Sequence, residues 1–413
     1  MRLQLSRHTR VAGAALLAVA AIAAAGARRA SANSEGAARV TFFREPSNSN
    51  GGITVIHPQL DLAAAAGSSL NLNAGYEVDI VTGATPPVFG PHTGIDAVTQ
   101  ATHFSDTRHQ VKGGFDFSRP SSGIAASYSY GWESDYRSHS VSATSRSDLL
   151  DHNFTLAFGY THNFDSVCDA DNSQVEGQPL ELKPLSASTH CFQSGMNDVT
   201  SHRLNIDTFE PSLTWTASPR LLLQAGSTIQ ILDGFQSNPY RSVRVGSQHR
   251  APQEHMPQYR QRYALFGRAA YAVPDLRASL MATVRVYRDS WAVQATTADL
   301  NFNKYLSPSL LVSLRGRYHR QTEASFYRSG SDYVTRGPAG QYWTGDRELS
   351  PMSNFLVGGK LAYLKRPEQE KTFYSEIELA VRAEGLFYQL APDAPNSDRT
   401  HALIFQGAFA LRF

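Results

Sequence analysis

The stretch "HALIFQGAFALRF", residues 401–413, ends the chain on a phenylalanine and carries the pattern on which the fold turns. Counting back from Phe413, one face presents Leu411, Phe409, Gly407, Phe405 and Leu403, and the other presents Arg412, Ala410, Ala408, Gln406, Ile404 and Ala402. A period of two belongs to a β-strand, because successive side chains leave it on opposite sides. Here the period runs to the last residue.

The same period returns along the chain. Leu70, Leu72, Ala74, Tyr76, Val78 and Ile80 alternate with Asn71, Asn73, Gly75, Glu77 and Asp79. Phe154, Leu156, Phe158 and Tyr160 form another such face, as do Ile124, Ala126, Tyr128, Tyr130 and Trp132. So do Leu276 to Val286, Leu310 to Tyr318, and Phe373, Ile377, Leu379 and Val381. No stretch sustains a helical period. A soluble β-sandwich also alternates, so strand length and connection pattern have to separate the two architectures.

These strands run about 10 to 15 residues, longer than the five or six usual in globular sheets and enough to cross a bilayer at a tilt. Short turns fall at 66–69, 119–123, 147–151, 217–220, 273–275, 307–309 and 365–371. Longer or more polar links lie between them, at 46–51, 83–104, 133–139, 165–199, 236–258, 287–292, 324–352 and 389–399. Strict alternation of turn and link predicts an all-β, transmembrane antiparallel up-and-down β-barrel of about 16 strands, with 14 and 18 as alternatives. In lipid, a sheet satisfies its backbone polar groups only by closing on itself, so the last strand is expected to pair with the first, near "ARVTFFRE". The apolar phase slips in "SHRLNIDTFEPSLTWT" and "WAVQATTADLNFNKYL", for which a bulge or an outer extension of the strand would account.

Composition alone would pass for a soluble protein: 413 residues, 41% hydrophobic, 18% charged, formal net charge +2. That charge, with no dense Lys/Arg stripe, argues against nucleic acid as a partner. The amino terminus points to export. "MRLQLSRHTR" is basic, "VAGAALLAVAAIAAAGA" is apolar, and Ala30 and Ala32 form an A-x-A cleavage site, so residues 1–32 read as a signal peptide and 33–413 as the barrel domain. An uncleaved membrane helix is the alternative, disfavoured by that small-residue site. The two cysteines, Cys168 and Cys191, share one polar segment and are expected to form a disulfide, which suits an oxidising compartment; the chain-entropy estimate is about 3 kcal/mol.

If the apolar phase meets lipid, the opposite phase lines the interior. One group of expected inward charges is Glu77, Asp79, Asp106, Arg108, Lys112, Glu133, Asp135 and Arg137. A second is Arg277, Arg285, Arg315, Arg317, Lys360, Glu376, Glu378, Arg382 and Glu384. A basic residue on the lipid face at mid-bilayer would cost about 2 to 4 kcal/mol, which is why these belong inside. They form either a lattice of ion pairs bracing the wall or a polar constriction or ligand site. Mixed sign argues against strong anion or cation selection.

The segments "YEVDIVTGATP" (76–86), "SDTRHQVKGGFDFS" (105–118) and "ESDYRS" (133–138) resemble a family of exported, uncharacterised bacterial barrels classed only as a domain of unknown function. The resemblance covers most of residues 33–413 and departs at Glu77 and Thr85, where the family pattern has Asp and Ser. It implies an outer-membrane barrel. It also implies association with small lipoproteins, thioredoxin-like proteins and flavin-attaching enzymes, hence a periplasmic lipoprotein or redox partner. A last strand ending on an aromatic is similar to the carboxy-terminal assembly signal of bacterial outer-membrane proteins, which assigns Phe413 as that signal and the barrel-assembly machinery as a partner.

The chain contains no H-E-x-x-H, G-x-S-x-G, C-x-x-C or P-loop motif, and "VCDADN" lacks the rest of a calcium loop. No catalytic residue, metal or cofactor is assigned. The expected function is a pore or transport channel for small polar solutes in the bacterial outer membrane. The alternatives are a non-conducting barrel anchoring envelope partners, and a rim-site enzyme in which folding brings His162 or His202 to the loop acids.

Overall fold

The structure is a computed structural model and describes residues 34–46, 52–83, 104–133, 135–170, 192, 199–238, 254–329, 332, 336–337, 340–367, 374–390 and 400–413. The signal segment 1–32 and Cys191 lie outside the described residues.

Sixteen strands form one closed antiparallel ring. In chain order they are β1 (Glu35–Glu45), β2 (Ile53–Ala65), β3 (Leu70–Gly83), β4 (Phe104–Arg119), β5 (Ser122–Trp132), β6 (Tyr136–Leu149), β7 (Phe154–Ala170) and β8 (Val199–Ser218). There follow β9 (Leu221–Gly234), β10 (Tyr259–Val273), β11 (Ala278–Asp289), β12 (Gln294–Ser307), β13 (Leu310–Gln321), β14 (Met352–Lys365), β15 (Glu376–Leu390) and β16 (His401–Arg412). Each strand pairs with its sequence neighbours, and β1 closes the ring on β16 with Glu35 opposite Arg412 and Phe42 opposite Phe405. Closure leaves no sheet edge, which is what a sheet crossing hydrocarbon requires.

Strands run from 11 residues in β1 to 20 in β8. At about 3.3 Å per residue and a tilt near 40°, even the shortest spans about 28 Å, close to a bilayer's hydrocarbon thickness. The seven turns expected from the sequence sit at one end with both termini, and the eight other links sit at the opposite end. These are called the turn end and the loop end below. No described helix is long and apolar enough to cross a membrane.

The outward phase is a continuous apolar surface. Leu72, Phe115, Ile124, Leu156, Leu213, Leu265, Leu300, Leu314, Val357, Val381 and Phe405 are all exposed. Aromatic rings gather toward both ends of the strands. Phe154 and Trp215 stack at the turn end, 5.8 Å between centroids. At the loop end of β3–β6, Tyr76, His109, Trp132, Tyr130, Tyr128 and His139 form a chain of stacked or tilted rings, with the Tyr76 hydroxyl 2.9 Å and the Tyr128 hydroxyl 2.6 Å from a histidine Nδ1. Two aromatic girdles flanking an apolar band are the interfacial signature of a membrane barrel.

The two phase slips have different causes. The β8 register against β9 is unbroken from Leu204 to Phe209, so no bulge lies there. Instead β8 continues beyond the girdle, and the inner-phase residues Leu204 and Ile206 pack on Leu232 and Val167 in a small apolar cluster at the loop end. In β12 the register shifts between Tyr305 and Ser307, a bulge beside the turn. Trp291 and Val293 precede that strand and bury themselves among the loops.

Candidate functional site

The inward phase carries the charge. On the early strands Asp61 of β2 accepts from Arg39 of β1 and from Lys112 of β4, each at 2.8 Å. Lys112 reaches Asp61 by crossing Gly75, where a Cβ would collide with the lysine stem. His57 lies 2.6 Å from Asp79, and Arg108 donates to Gln110 Oε1 at 3.3 Å. Toward the loop end, Tyr136 donates its hydroxyl to the buried Asp165.

The late strands repeat the device. Arg315 of β13 donates to Asp299 of β12 at 2.7 and 2.9 Å and lies 3.6 Å from Glu384 of β15, whose other basic neighbour is Arg382. Lys360 of β14 meets Glu378 of β15 at 2.7 Å. At the turn end Arg412 bridges Glu35 and Glu376, and Glu376 also accepts from Arg366. Most of these pairs join adjacent or next-but-one strands, so the lattice braces neighbouring strands of the wall against one another.

The wall is polarised. Inward residues of β2–β8 include Asp61, Glu77, Asp79, Asp116, Asp148, Asp165 and Glu210, whereas β10, β11 and β13 present Arg260, Arg262, Arg268, Arg285, Arg315 and Arg317. In a sixteen-strand ring, β2–β5 face β10–β13 across the interior. A recess of ≈ 370 Å³ on the acidic side is lined by Asp116, Ser118, Thr144, Arg146 and Glu210 together with apolar residues such as Ile124 and Phe158. The arginines of β10 differ in their partners: Arg260 pairs with Asp289, Arg262 donates to Gln230 at 3.1 Å, and Arg268 donates to the neutral Gln224 at 3.2 Å and Thr283 at 3.3 Å.

At the loop end the β13–β14 link, residues 322–351, is tied in three places. Ser325 N–H donates to Trp291 O at 2.8 Å, with Trp291 edge-on to Phe326. His255 and Trp343 form a two-way backbone bridge, and Thr344 donates to Glu254 at 2.7 Å, joining this link to the one before β10. Arg347 then meets Glu45 of β1, both wholly buried. Because β1 and β9 are eight strands apart in the ring, a link tied both to β1 and to the β9–β10 segment lies across the mouth. Met256, Trp291, Val293, Ala324, Phe326, Tyr327 and Leu349 form its apolar core. Burial works against the Arg347 charge, but Glu348 and Glu45 outweigh it and hold the guanidinium above its ordinary pKa. Burial pushes the Glu348 carboxyl above its usual range, against the pull of Arg347.

Of the residues singled out from the sequence, Glu77, Asp79, Arg108, Lys112, Arg285, Arg315, Arg317, Lys360, Glu376, Glu378, Arg382 and Glu384 stand on the inward phase of their strands. Asp106 sits opposite Val81 in the β3–β4 register, and its side chain lies outside the described residues. Glu133 and Asp135 belong to the β5–β6 link, Asp135 buried. Two placements differ from expectation. Arg137 pairs with Trp132 in the outward phase of β6 and stacks 4.6 Å over Phe192. Arg277 caps the β10–β11 turn at φ 49°, so it is a turn residue. Sequence reasoning missed Arg39, His57, Asp61, Arg268 and Asp299, all of which the same alternation would have found. It also missed Glu45, on the same phase of β1 as Arg39, and Arg347, which no local pattern marks.

Cys168 is buried at the loop end of β7, and its expected pairing with Cys191 rests on a residue outside the described ones. The His162 Nδ1 lies 2.7 Å from Asp207 of β8, which also accepts from Tyr160, all three in the outward phase. His202 stacks on Phe235. Among the described residues no cluster of His, Cys, Asp or Glu is arranged to hold a metal.

A closed sixteen-strand antiparallel ring with an apolar outer band, two aromatic girdles and a charged inner wall defines a β-barrel of the outer-membrane type. The family model for the protein of unknown function DUF3570 matches residues 8–397, and the chain belongs to that family. No curated protein matches. Among solved structures, a bacterial polysaccharide outer membrane secretin aligns at TM-score 0.48 and 9% identity over 93% of this chain and 99% of its own. The siderophore receptor PirA from Pseudomonas aeruginosa aligns at TM-score 0.40 and 9% identity, over 93% of this chain and 62% of the receptor. The ferric enterobactin receptor PfeA in complex with BCV-L6 aligns at TM-score 0.40 and 10% identity, over 94% of this chain and 82% of its own. Likeness at this level carries no functional inference.

Proposed function

We propose that the barrel is an outer-membrane pore or transport channel for small polar solutes, exported by a cleaved signal peptide and inserted by the barrel-assembly machinery. The observation that supports this reading is the segregation of charge: the outward phase is apolar, while the inward phase carries a polarised wall of carboxylates and guanidinium groups. A scaffold with no solute to pass would be stabilised as well by an apolar interior, since buried ion pairs add little net stability over hydrophobic packing. Full-length protein refolded into planar bilayers is expected to give discrete current steps and to let small sugars swell vesicles. A silent bilayer together with unswollen vesicles rejects the pore.

A second reading, a barrel whose mouth stays shut and which anchors envelope partners such as a periplasmic lipoprotein or redox protein, is favoured by the tie across the mouth. Releasing that tie separates the two. In a gated pore, Arg347→Ala raises conductance; in an anchor, the bilayer stays silent with or without the tie.

A further inference from the structure

We infer that the inner wall of β10 and β11 holds a binding subsite for the carboxylate of a small solute, with Arg268 and Arg285 as the binding residues. The inference rests on the pore reading for the route by which the solute arrives. Basic residues line the wall in two different states. Arg39, Lys112, Arg315 and Lys360 each meet a carboxylate, so their charges are neutralised within the lattice. Arg268 is held by neutral acceptors, Gln224 Oε1 at 3.2 Å and Thr283 Oγ1 at 3.3 Å. Arg285 is half-buried, and its Nη2 is shielded from solvent with no hydrogen-bond partner.

The two arginines are diagonal neighbours on one face. Thr283, the cross-strand partner of Arg268, stands two residues before Arg285 on the inward phase of β11. Phe266 faces Arg285 across the same pair of strands, and its ring lies over Gly226, where a Cβ would come within 2.7 Å of it. The Arg268 guanidinium lies 5.9 Å from that ring centroid. Two guanidinium groups beside an aromatic plate thus share one patch of wall.

A guanidinium held by neutral groups keeps its whole charge and has lost part of its hydration, a cost that wall bracing does not require. An anion that donates two oxygens repays it, and arginine's planar fork suits a carboxylate in particular. The acidic β2–β5 wall lies opposite and favours the basic arc for an anion, while Glu210 of β8 bears on Arg285 and partly offsets its charge. Both oppose a doubly charged phosphate more than a single carboxylate.

The test is saturation-transfer NMR on full-length protein refolded in detergent micelles, with lactate and its neutral amide, lactamide, as probes and inorganic phosphate as a third. Lactate is expected to bind about tenfold more tightly than lactamide. Arg268→Gln with Arg285→Gln removes that difference, while Arg268→Lys with Arg285→Lys, which keeps the charges and loses the planar forks, retains only part of it. Arg137→Gln, on the outer surface, changes nothing. A heat-modifiable gel shift confirms folding of each variant, and if the glutamine variant fails to fold, the lactate and lactamide comparison on the native chain decides. Equal binding of lactate and lactamide, unchanged lactate binding in a folded glutamine variant, or binding of phosphate without lactate overturns the inference. A silent bilayer would remove the pore reading and leave this comparison standing.

Discussion

Arg347, in the link between β13 and β14, grips Glu45 at the end of β1 through two contacts, Nη1 to Oε1 at 2.7 Å and Nη2 to Oε2 at 3.2 Å. The two residues are 302 positions apart in sequence and are 1% and 0% exposed. Tyr388 of β15 lies beneath, its ring centroid 5.0 Å from the guanidinium carbon. Below the pair, Phe43, Ile53, Val55, Val81, Leu356, Leu386 and Ala402 make the inner wall apolar at the level of the mouth. The link is thus fastened at a point where water is excluded and the ion pair is strong.

Removing one partner should leave the other charge buried and uncompensated. Arg347→Ala or Glu45→Ala is expected to cost about 3 to 5 kcal/mol in urea unfolding of the refolded barrel, where the transition includes the link. Replacing both, Glu45→Gln with Arg347→Met, should recover most of that loss, because neither member of the pair is left charged, and only Glu348 loses a neighbouring cation. A double variant no more stable than the singles would show that the link is held elsewhere.

Two glycines of the inner wall give opposite expectations. At Gly75 a Cβ would meet the flexible stem of Lys112, which can swing its ammonium away, so Gly75→Ala should cost no more than about 1 kcal/mol. At Gly226 a Cβ would meet the Phe266 ring at 2.7 and 2.8 Å and the backbone oxygen of Pro211 at 2.9 Å. There the crowding has no cheap outlet, and Gly226→Ala is expected to cost about 1 to 3 kcal/mol. Urea midpoints of the two variants, measured at equal slope, check the ranking.

The order of these costs follows from what alternation can and cannot encode. A period of two specifies which phase of a strand is wet, and so the ring, its sixteen strands and the inward acids Glu77, Asp79 and Glu384 were legible from residues such as Leu72, Tyr76 and Phe405. It says nothing about where a strand ends. Arg137 follows the outward phase of β6 because Tyr136 already begins the strand, and Arg277 falls in a turn because Pro274 to Leu276 form a single 3-10 turn ahead of β11. Leu204 and Ile206 disturbed the alternation because β8 outlasts the membrane and packs its inner phase on Leu232. The mouth was illegible altogether. Contacts such as His255 with Trp343 join links that share no period, only proximity created by closure of the ring.

At the closing seam, Arg412 and Phe413 stand side by side in sequence and should differ in effect. Arg412 bridges Glu35 and Glu376 at the turn end but is 43% exposed, so Arg412→Gln is expected to cost about 1 kcal/mol or less at equilibrium. Phe413 donates its backbone N–H to Ser34 O at 2.9 Å, which any residue could do. If its ring is the assembly signal, Phe413→Ala should leave the stability of refolded barrel nearly unchanged and sharply lower the amount inserted in cells. Membrane fractionation of the two variants, set against their unfolding curves in micelles, checks both statements. Normal insertion of Phe413→Ala would remove the assembly role.

The final expectation concerns pH and Glu348, which lies in the link beside Arg347, with Asp346 and Glu45 as its acidic neighbours and Tyr388 close by. Burial raises its pKa in the folded barrel, so the folded state holds this proton more tightly than the unfolded chain does. Its contribution to stability is therefore most favourable at acid pH, below the unfolded value of about 4.3, and declines as pH rises through the raised folded value. Glu348→Gln abolishes the titration while preserving shape. The quantity to measure is the difference in unfolding free energy between the native chain and Glu348→Gln at a series of pH values, in which the effects of groups distant from Glu348 cancel. That difference should move against the native chain as pH rises from the ordinary carboxylate range toward neutrality. A difference that is flat, or that moves the other way, would mean that the attraction of Arg347 outweighs burial at this carboxyl.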